Sequence, residues 1–125
     1  MRNAISTKDA PQAIGPYSQG IRAGNMLFVS GQGHLDPETG ALVTGDVATE
    51  TRRVKDNIGA ILKAAGASFD HVVRTTVYLA DMADFAAMNA AYGEYFSAPA
   101  PARTTIQAAR LPRDMRVEID VIATL

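Results

Sequence analysis

Arg103 is the residue best equipped for chemistry in this sequence. It stands in Pro101-Ala102-Arg103-Thr104-Thr105, where a rigid proline delivers an arginine to the start of a strand. A guanidinium is a planar fork that pairs bidentately with a carboxylate. The spacing fits a surface or salt-bridging arginine equally well. Glu118 is the second candidate. It alternates with Val117, Ile119 and Val121 in the last apolar run, so it points away from the face that those residues bury. There it is either an exposed edge charge or a partly buried carboxylate able to orient or deprotonate water. The third candidate is a pair of segments, Ile14-Gly15-Pro16-Tyr17-Ser18-Gln19-Gly20 and Phe28-Val29-Ser30-Gly31-Gln32. A Gly-Pro turn presents an amphipathic tyrosine, Tyr17. A strand ends in Ser30 followed by Gly31, and a glycine there allows a ligand to approach the backbone closely.

Other chemistries find little support. With no cysteine, disulfides, thiolate catalysis and Cys-ligated zinc are excluded. His34 and His71 are the two histidines; they lie far apart without metal-ligand spacing and read as surface or loop residues. No metal and no cofactor is expected. Gly31-Gln32-Gly33 is a fragment of a dinucleotide loop, lacking the third glycine and the following helix. Ser30 is not in a Gly-x-Ser-x-Gly elbow. Twelve basic residues against thirteen acidic ones leave a formal charge of −1, which argues against a nucleic-acid partner bound through bulk electrostatics. No signal peptide is evident at the start, and no apolar run approaches the roughly 18–20 residues that span a bilayer. The expectation is a soluble cytoplasmic protein with no membrane partner.

The elements that would position these residues follow from periodicity. The 125 residues suit one domain, 1–125. Short strands are expected at about 19–23 and 26–30, joined by a Gly24-Asn25 hairpin turn, with a further possible strand at 2–6. A helix is expected over about 46–65. Val47, Thr51, Val54, Ile58, Ile61 and Ala65 form its apolar stripe, with Arg52, Arg53, Lys55 and Asp56 mostly off it. Gly66 follows as the helix-ending glycine. Residues 72–79 read as a strand and 84–96 as a second helix, with Phe85, Met88, Tyr92 and Tyr95 or Phe96 on one face. Pro99 and Pro101 forbid regular helix. Strands at 103–108 and 115–124 complete the chain. The fold class is therefore α+β, one mixed sheet with two helices on one face. The helices have one apolar stripe each, whereas the strands carry apolar residues on both sides. Val72 and Ile122 are expected opposite Val77 and Val121, and a partner subunit is expected against the uncovered face.

Together these segments resemble the Rid family, the YjgF-like reactive-intermediate deaminases or 2-iminobutanoate/2-iminopropanoate deaminases. The resemblance rests on the Tyr17 and Ser30 segments and on Pro101-Ala102-Arg103 with the distal Ala109-Arg110-Leu111-Pro112 and Val117-Glu118-Ile119. Asn57-Ile58, Ala64-Ala65-Gly66, Thr75-Thr76-Val77-Tyr78-Leu79 and Phe85-Ala86-Ala87-Met88-Asn89 also contribute. It implies a chorismate-mutase-like fold and a homotrimer with a central barrel and three intersubunit clefts. It implies a hydrolase that converts 2-imino or enamine acids, released by PLP-dependent dehydratases, to 2-keto acids and ammonia. Arg103 matches the carboxylate-binding arginine, Tyr17, Ser30 and Gly31 match cleft-lining positions, and Glu118 matches the water-associated glutamate. Many members carry Cys where this chain has Thr105. The Thr105 backbone N–H can still meet a substrate oxygen, but thiol redox switching is impossible here. Endoribonuclease action and metabolite binding as a regulator or chaperone are the alternatives that the same resemblance carries.

Overall fold

The structure, a computed structural model, describes residues 1–125. Eight elements follow in chain order: β1 (Arg2–Ile5), β2 (Gly20–Ala23), β3 (Met26–Gly33), α1 (Val47–Ala64), β4 (Val72–Leu79), α2 (Phe85–Gly93), β5 (Ala102–Gln107) and β6 (Val117–Thr124). The strands form one sheet in the order β1-β2-β3-β6-β4-β5. Only β4 and β5 pair in parallel, because α2 carries the chain back between them. Gly24, at φ 62°, makes the two-residue β2–β3 turn, with Ala23 paired to Met26.

Asp46 caps α1 by accepting from the Thr49 N–H at 2.8 Å, and Gly66 follows the helix at φ 77°, where a side chain would be strained. Val54, Ile58, Ile61 and Leu62 of α1 have no accessible surface. They pack on Leu27, Val77, Leu79, Val117, Ile119 and Val121 in one cluster. Each such side chain contributes about 1.5–3 kcal/mol on burial. No helix is long and apolar enough to cross a membrane.

Four features depart from expectation. Lys55 is not off the stripe but fully buried, enclosed by the rings of Phe69, of Tyr92 in α2 and of Tyr95 and Phe96 just after it. Val72 is not opposite Val77. The β4–β6 register shifts between Val72 and Arg74, and this bulge turns both valines into the core while Val73 is pushed outward. Helix α2 ends at Gly93, three residues before the expected Phe96, as Gly93 opens a looser turn that carries Tyr95 and Phe96 onto Phe69. His34 is buried. Its Nδ1 donates to the Val43 carbonyl at 2.8 Å and its Nε2 accepts from the Arg116 N–H at 3.1 Å.

The sheet face away from the helices carries Phe28 paired to Ile122 and Ile106 beside Tyr78. Phe28 and Ile106 are 42% and 44% exposed. No element of this chain covers them.

Candidate functional site

The β3–β6 ladder is in register up to Val29 and Val121 and again from Gln32 and Ile119. Three steps on one strand match two on the other, so Ser30 and Gly31 form a one-residue bulge. The Ser30 N–H donates to the Gln19 carbonyl at 3.0 Å. Its hydroxyl donates to the Ser18 carbonyl at 2.6 Å, so only its lone pairs remain for a ligand. Tyr17 is half exposed, and its hydroxyl accepts from the Ile14 N–H at 3.1 Å. The loop that presents it is anchored by the buried Gln19 side chain, which donates to the carbonyls of Thr7, Ala10 and Pro11 and accepts from the Thr7 N–H.

Glu118 projects from β6 beside the bulge. A Cβ on Gly31 would lie 3.0 Å from Glu118 Cδ and nearer still to Oε2. The glycine is therefore what makes room for the carboxylate. Burial, and secondarily the Asp120 carboxylate on the same strand face, push the Glu118 carboxyl above its ordinary pKa. Tyr17, Ser30, Gly31 and Glu118 share one cleft of about 540 Å³ with Pro11, Gln12 and Met115. Its far wall includes Arg113, which with Asp114 holds a left-handed backbone conformation at φ 57° and 56°, unusual for side chains other than glycine. Asn57 of α1 braces the floor by donating to the carbonyls of Gly33 and Leu35 at 3.1 and 2.9 Å. The buried Glu50 holds Arg116 at 2.7 Å on the adjoining side.

Arg103 is elsewhere. It faces the helices from the sheet-edge strand β5, in register with the fully buried Thr75. Nη1 donates to Asn89 Oδ1 of α2 at 2.7 Å. The guanidinium stands 4.8 Å from the Tyr92 ring centre and 5.6 Å from that of Phe85. It enters no salt bridge within the chain, so the salt-bridging alternative is not met; Nε and Nη2 make no hydrogen bond within the chain. Thr105 is two residues along the same face, and its hydroxyl is buried without a hydrogen-bond partner. The Ala108 N–H donates to Leu79 of the neighbouring strand. By strand alternation the N–H groups of Arg103 and Thr105 point to the open edge of the sheet.

The six sequence-predicted residues thus divide into two groups. Tyr17, Ser30, Gly31 and Glu118 line one cleft, while Arg103 and Thr105 lie two strands away on the opposite face. Asn89, which holds Arg103, and Gln19, which anchors the Tyr17 loop, had no assigned role in the sequence reading, since an amide carries no local signal of what it will bond. No three His, Asp or Glu side chains converge as metal ligands.

Known proteins match nearly the whole chain in sequence and in fold. The sequence profile of the endoribonuclease L-PSP family matches residues 7–125. A RutC family protein of Pyrococcus horikoshii is 53% identical over 123 residues, 98% of each chain. The 2-iminobutanoate/2-iminopropanoate deaminase of Mus musculus is 51% identical over 123 residues, 98% of this chain and 91% of that one. The crystal structure of the E. coli YjgF gene product superposes with a TM-score of 0.93 at 45% identity, covering 98% of each chain. With the helix-backed mixed sheet, the bulged Ser30-Gly31 and the Pro-Ala-Arg strand all in place, the chain belongs to the endoribonuclease L-PSP family, the YjgF-like proteins that include the reactive-intermediate deaminases.

Proposed function

We propose that this protein hydrolyses 2-imino acids to 2-keto acids and ammonia, in clefts completed between subunits of a homotrimer. The observation that carries this reading is Arg103. It is an arginine held by an amide and two aromatic rings, with no carboxylate of its own and half its fork free. Such a group is prepared for a small carboxylate. The mouse relative's name supports the substrate class.

Each subunit carries two half-sites. Arg103 and Thr105 lie at the open edge strand, and the Glu118 cleft opens beside a sheet face that no helix covers. Packing the edge of one copy against the cleft of another brings carboxylate grip and water-orienting group together. Arg103 then fixes the substrate carboxylate, and the Thr105 and Gly31 backbones assist. Ser30 accepts from the iminium N–H and Tyr17 closes the pocket. Glu118, its basicity raised by burial, takes a proton as water oxygen bonds to the iminium carbon. The resulting carbinolamine receives that proton on nitrogen; as the C–N bond breaks and ammonia leaves, Glu118 takes the hydroxyl proton, the C=O of the 2-keto acid forms, and the departing ammonia carries that proton away as ammonium. Holding the electrophile still against the water supplies most of the acceleration.

Ribonuclease chemistry, named in the family profile, lacks a comparable set of groups. Both His34 ring nitrogens are engaged, and His71 accepts from the Ser68 N–H at 3.0 Å.

The test is Arg103→Ala. Two charge-assisted hydrogen bonds, each about 1.5–3 kcal/mol, predict at least about a hundredfold loss of imine-dependent ammonia release. Trimer content and melting temperature should survive. Arg103→Lys keeps the charge, loses the planar grip, and should also be poor. A trimeric Arg103→Ala variant working at the parental rate would remove the mechanism.

A further inference from the structure

Lys55 is the least expected residue in the structure. It projects from α1 toward α2 and has no accessible surface. Its Nζ makes no hydrogen bond. Four aromatic rings surround it instead, with centres at 3.6 Å (Phe96), 4.4 Å (Tyr92), 4.8 Å (Phe69) and 5.4 Å (Tyr95). The Tyr92 ring that contacts Nζ also contacts the Arg103 guanidinium, at 4.8 Å. Two cations thus share one aromatic side chain, and neither has a carboxylate partner.

This arrangement opposes folding. An ammonium buried without hydrogen bonds is costly, and cation–π contacts return only part of that cost. A methionine would fill the same volume without it. What the charge adds is positive potential behind Arg103, in a dry environment where screening is weak.

We propose that Lys55 is a second cation of the Arg103 carboxylate site, acting across Tyr92 without touching the ligand, and that carboxylate binding is coupled to proton uptake by Lys55. The proposal rests on the reading of Arg103 as the carboxylate grip.

The coupling has a definite sign. Burial, and then repulsion from Arg103, bring Lys55 down to about 7. A carboxylate seated on Arg103 offsets that repulsion and raises the Lys55 pKa, so the bound state holds more protons near neutrality. Affinity for carboxylates therefore falls as pH rises through 7 and beyond. The other groups facing Lys55 do not titrate there. Burial holds the Tyr92 phenol above its ordinary pKa and pushes Tyr95 up to about 12. The Thr75 hydroxyl of β4 is hydrogen-bonded to Tyr92, and Phe69 and Phe96 are neutral. On or beside the helices, Arg52 is paired with Glu94 and Asp56 accepts from Tyr95. Arg103 from β5 is the one charged side chain that acts on Lys55.

The test is calorimetric titration of the intact protein with 2-oxobutanoate from pH 6 to 9, in pairs of buffers differing in ionisation enthalpy. The expected result is net proton uptake near pH 7–8. Kd should rise several-fold over the range, about tenfold for each pKa unit by which the ligand moves Lys55. Lys55→Met should abolish the uptake, flatten the profile, and bind like the parent at pH 9 but more weakly at pH 6. Glu118 and both histidines remain in that variant, so a slope persisting there overturns the proposal, as does a flat parental profile. Should Lys55→Met not assemble, carbon-13 NMR of labelled lysine in the parent decides. The Lys55 Cε midpoint must rise on adding 2-oxobutanoate, and an unmoved midpoint overturns the coupling. Arg103→Ala separates the underlying reading: if it binds 2-oxobutanoate as tightly as the parent, the carboxylate grip itself has failed, and the coupling with it.

Discussion

Gly31→Ala offers a way to displace the Glu118 carboxylate without altering it. The new Cβ would sit 3.0 Å from Glu118 Cδ, with Oε2 closer. Carbon atoms settle about 3.5–4.0 Å apart, so the carboxylate must withdraw by about 0.5–1 Å. The moving atoms are the end of a flexible, half-buried side chain, and the stability loss should be about 1 kcal/mol. The catalytic loss should be much larger. A shift of about 1 Å in a positioned group costs about a hundredfold in rate. Ammonia release would be followed from imines generated in situ by an amino-acid oxidase or a PLP-dependent dehydratase. Measurements on the parent, Gly31→Ala, Glu118→Gln and the double variant complete a cycle. If alanine acts through Glu118, the double variant is no worse than the poorer single one. Losses that multiply would assign Gly31 an independent role, and a Gly31→Ala enzyme at the parental rate would refute the reasoning outright.

Light scattering should give a particle of three times 13.3 kDa, and a stable monomer at micromolar concentration would remove the shared cleft. Lys55→Met should raise thermal stability, more at low pH than at high pH. The folded Lys55 pKa of about 7 lies below the ordinary 10.5, so the unfolded chain binds more protons between those values. The parent's penalty is full below pH 7 and fades toward pH 10.5. The shift bounds this penalty at about 5 kcal/mol, and the aromatic contacts reduce the expected gain to about 1–3 kcal/mol at pH 6. A gain equal at pH 6 and pH 9.5 would contradict the buried-cation assignment.

Much of the fold was legible because its signals are local. The stripe of Val54, Ile58 and Ile61 specified α1, and the alternation of Val117, Ile119 and Val121 specified β6 and placed Glu118 on the other face. What escaped depends on partners distant in sequence. Lys55 carries the polarity of a surface residue, and only the rings of Phe69, Tyr92, Tyr95 and Phe96 closing over it allow burial. Val72 is displaced by a bulge that no residue in its strand announces. Of the site, Arg103 and the Tyr17, Ser30, Gly31 and Glu118 set could be picked out from motif resemblance. Their separation onto opposite faces could not, because it depends on β5 docking beside β4 after α2.

The Ser30 hydroxyl has a bearing on turnover. Its proton is committed to the Ser18 carbonyl, so toward the proposed pocket it presents lone pairs alone. A protonated imine can donate to such an oxygen, whereas the ketone formed from it has only lone pairs to offer in return. The proposed hydrolysis would therefore convert an attraction at this point into a repulsion between two acceptors, while the proposed carboxylate grip would stay the same on both sides of the reaction. The incoming compound would be told from the outgoing one by whether it has an N–H to offer at this point. Under the proposed reaction, the keto acid would then bind less tightly than the imine from which it forms, held by the Arg103 grip alone.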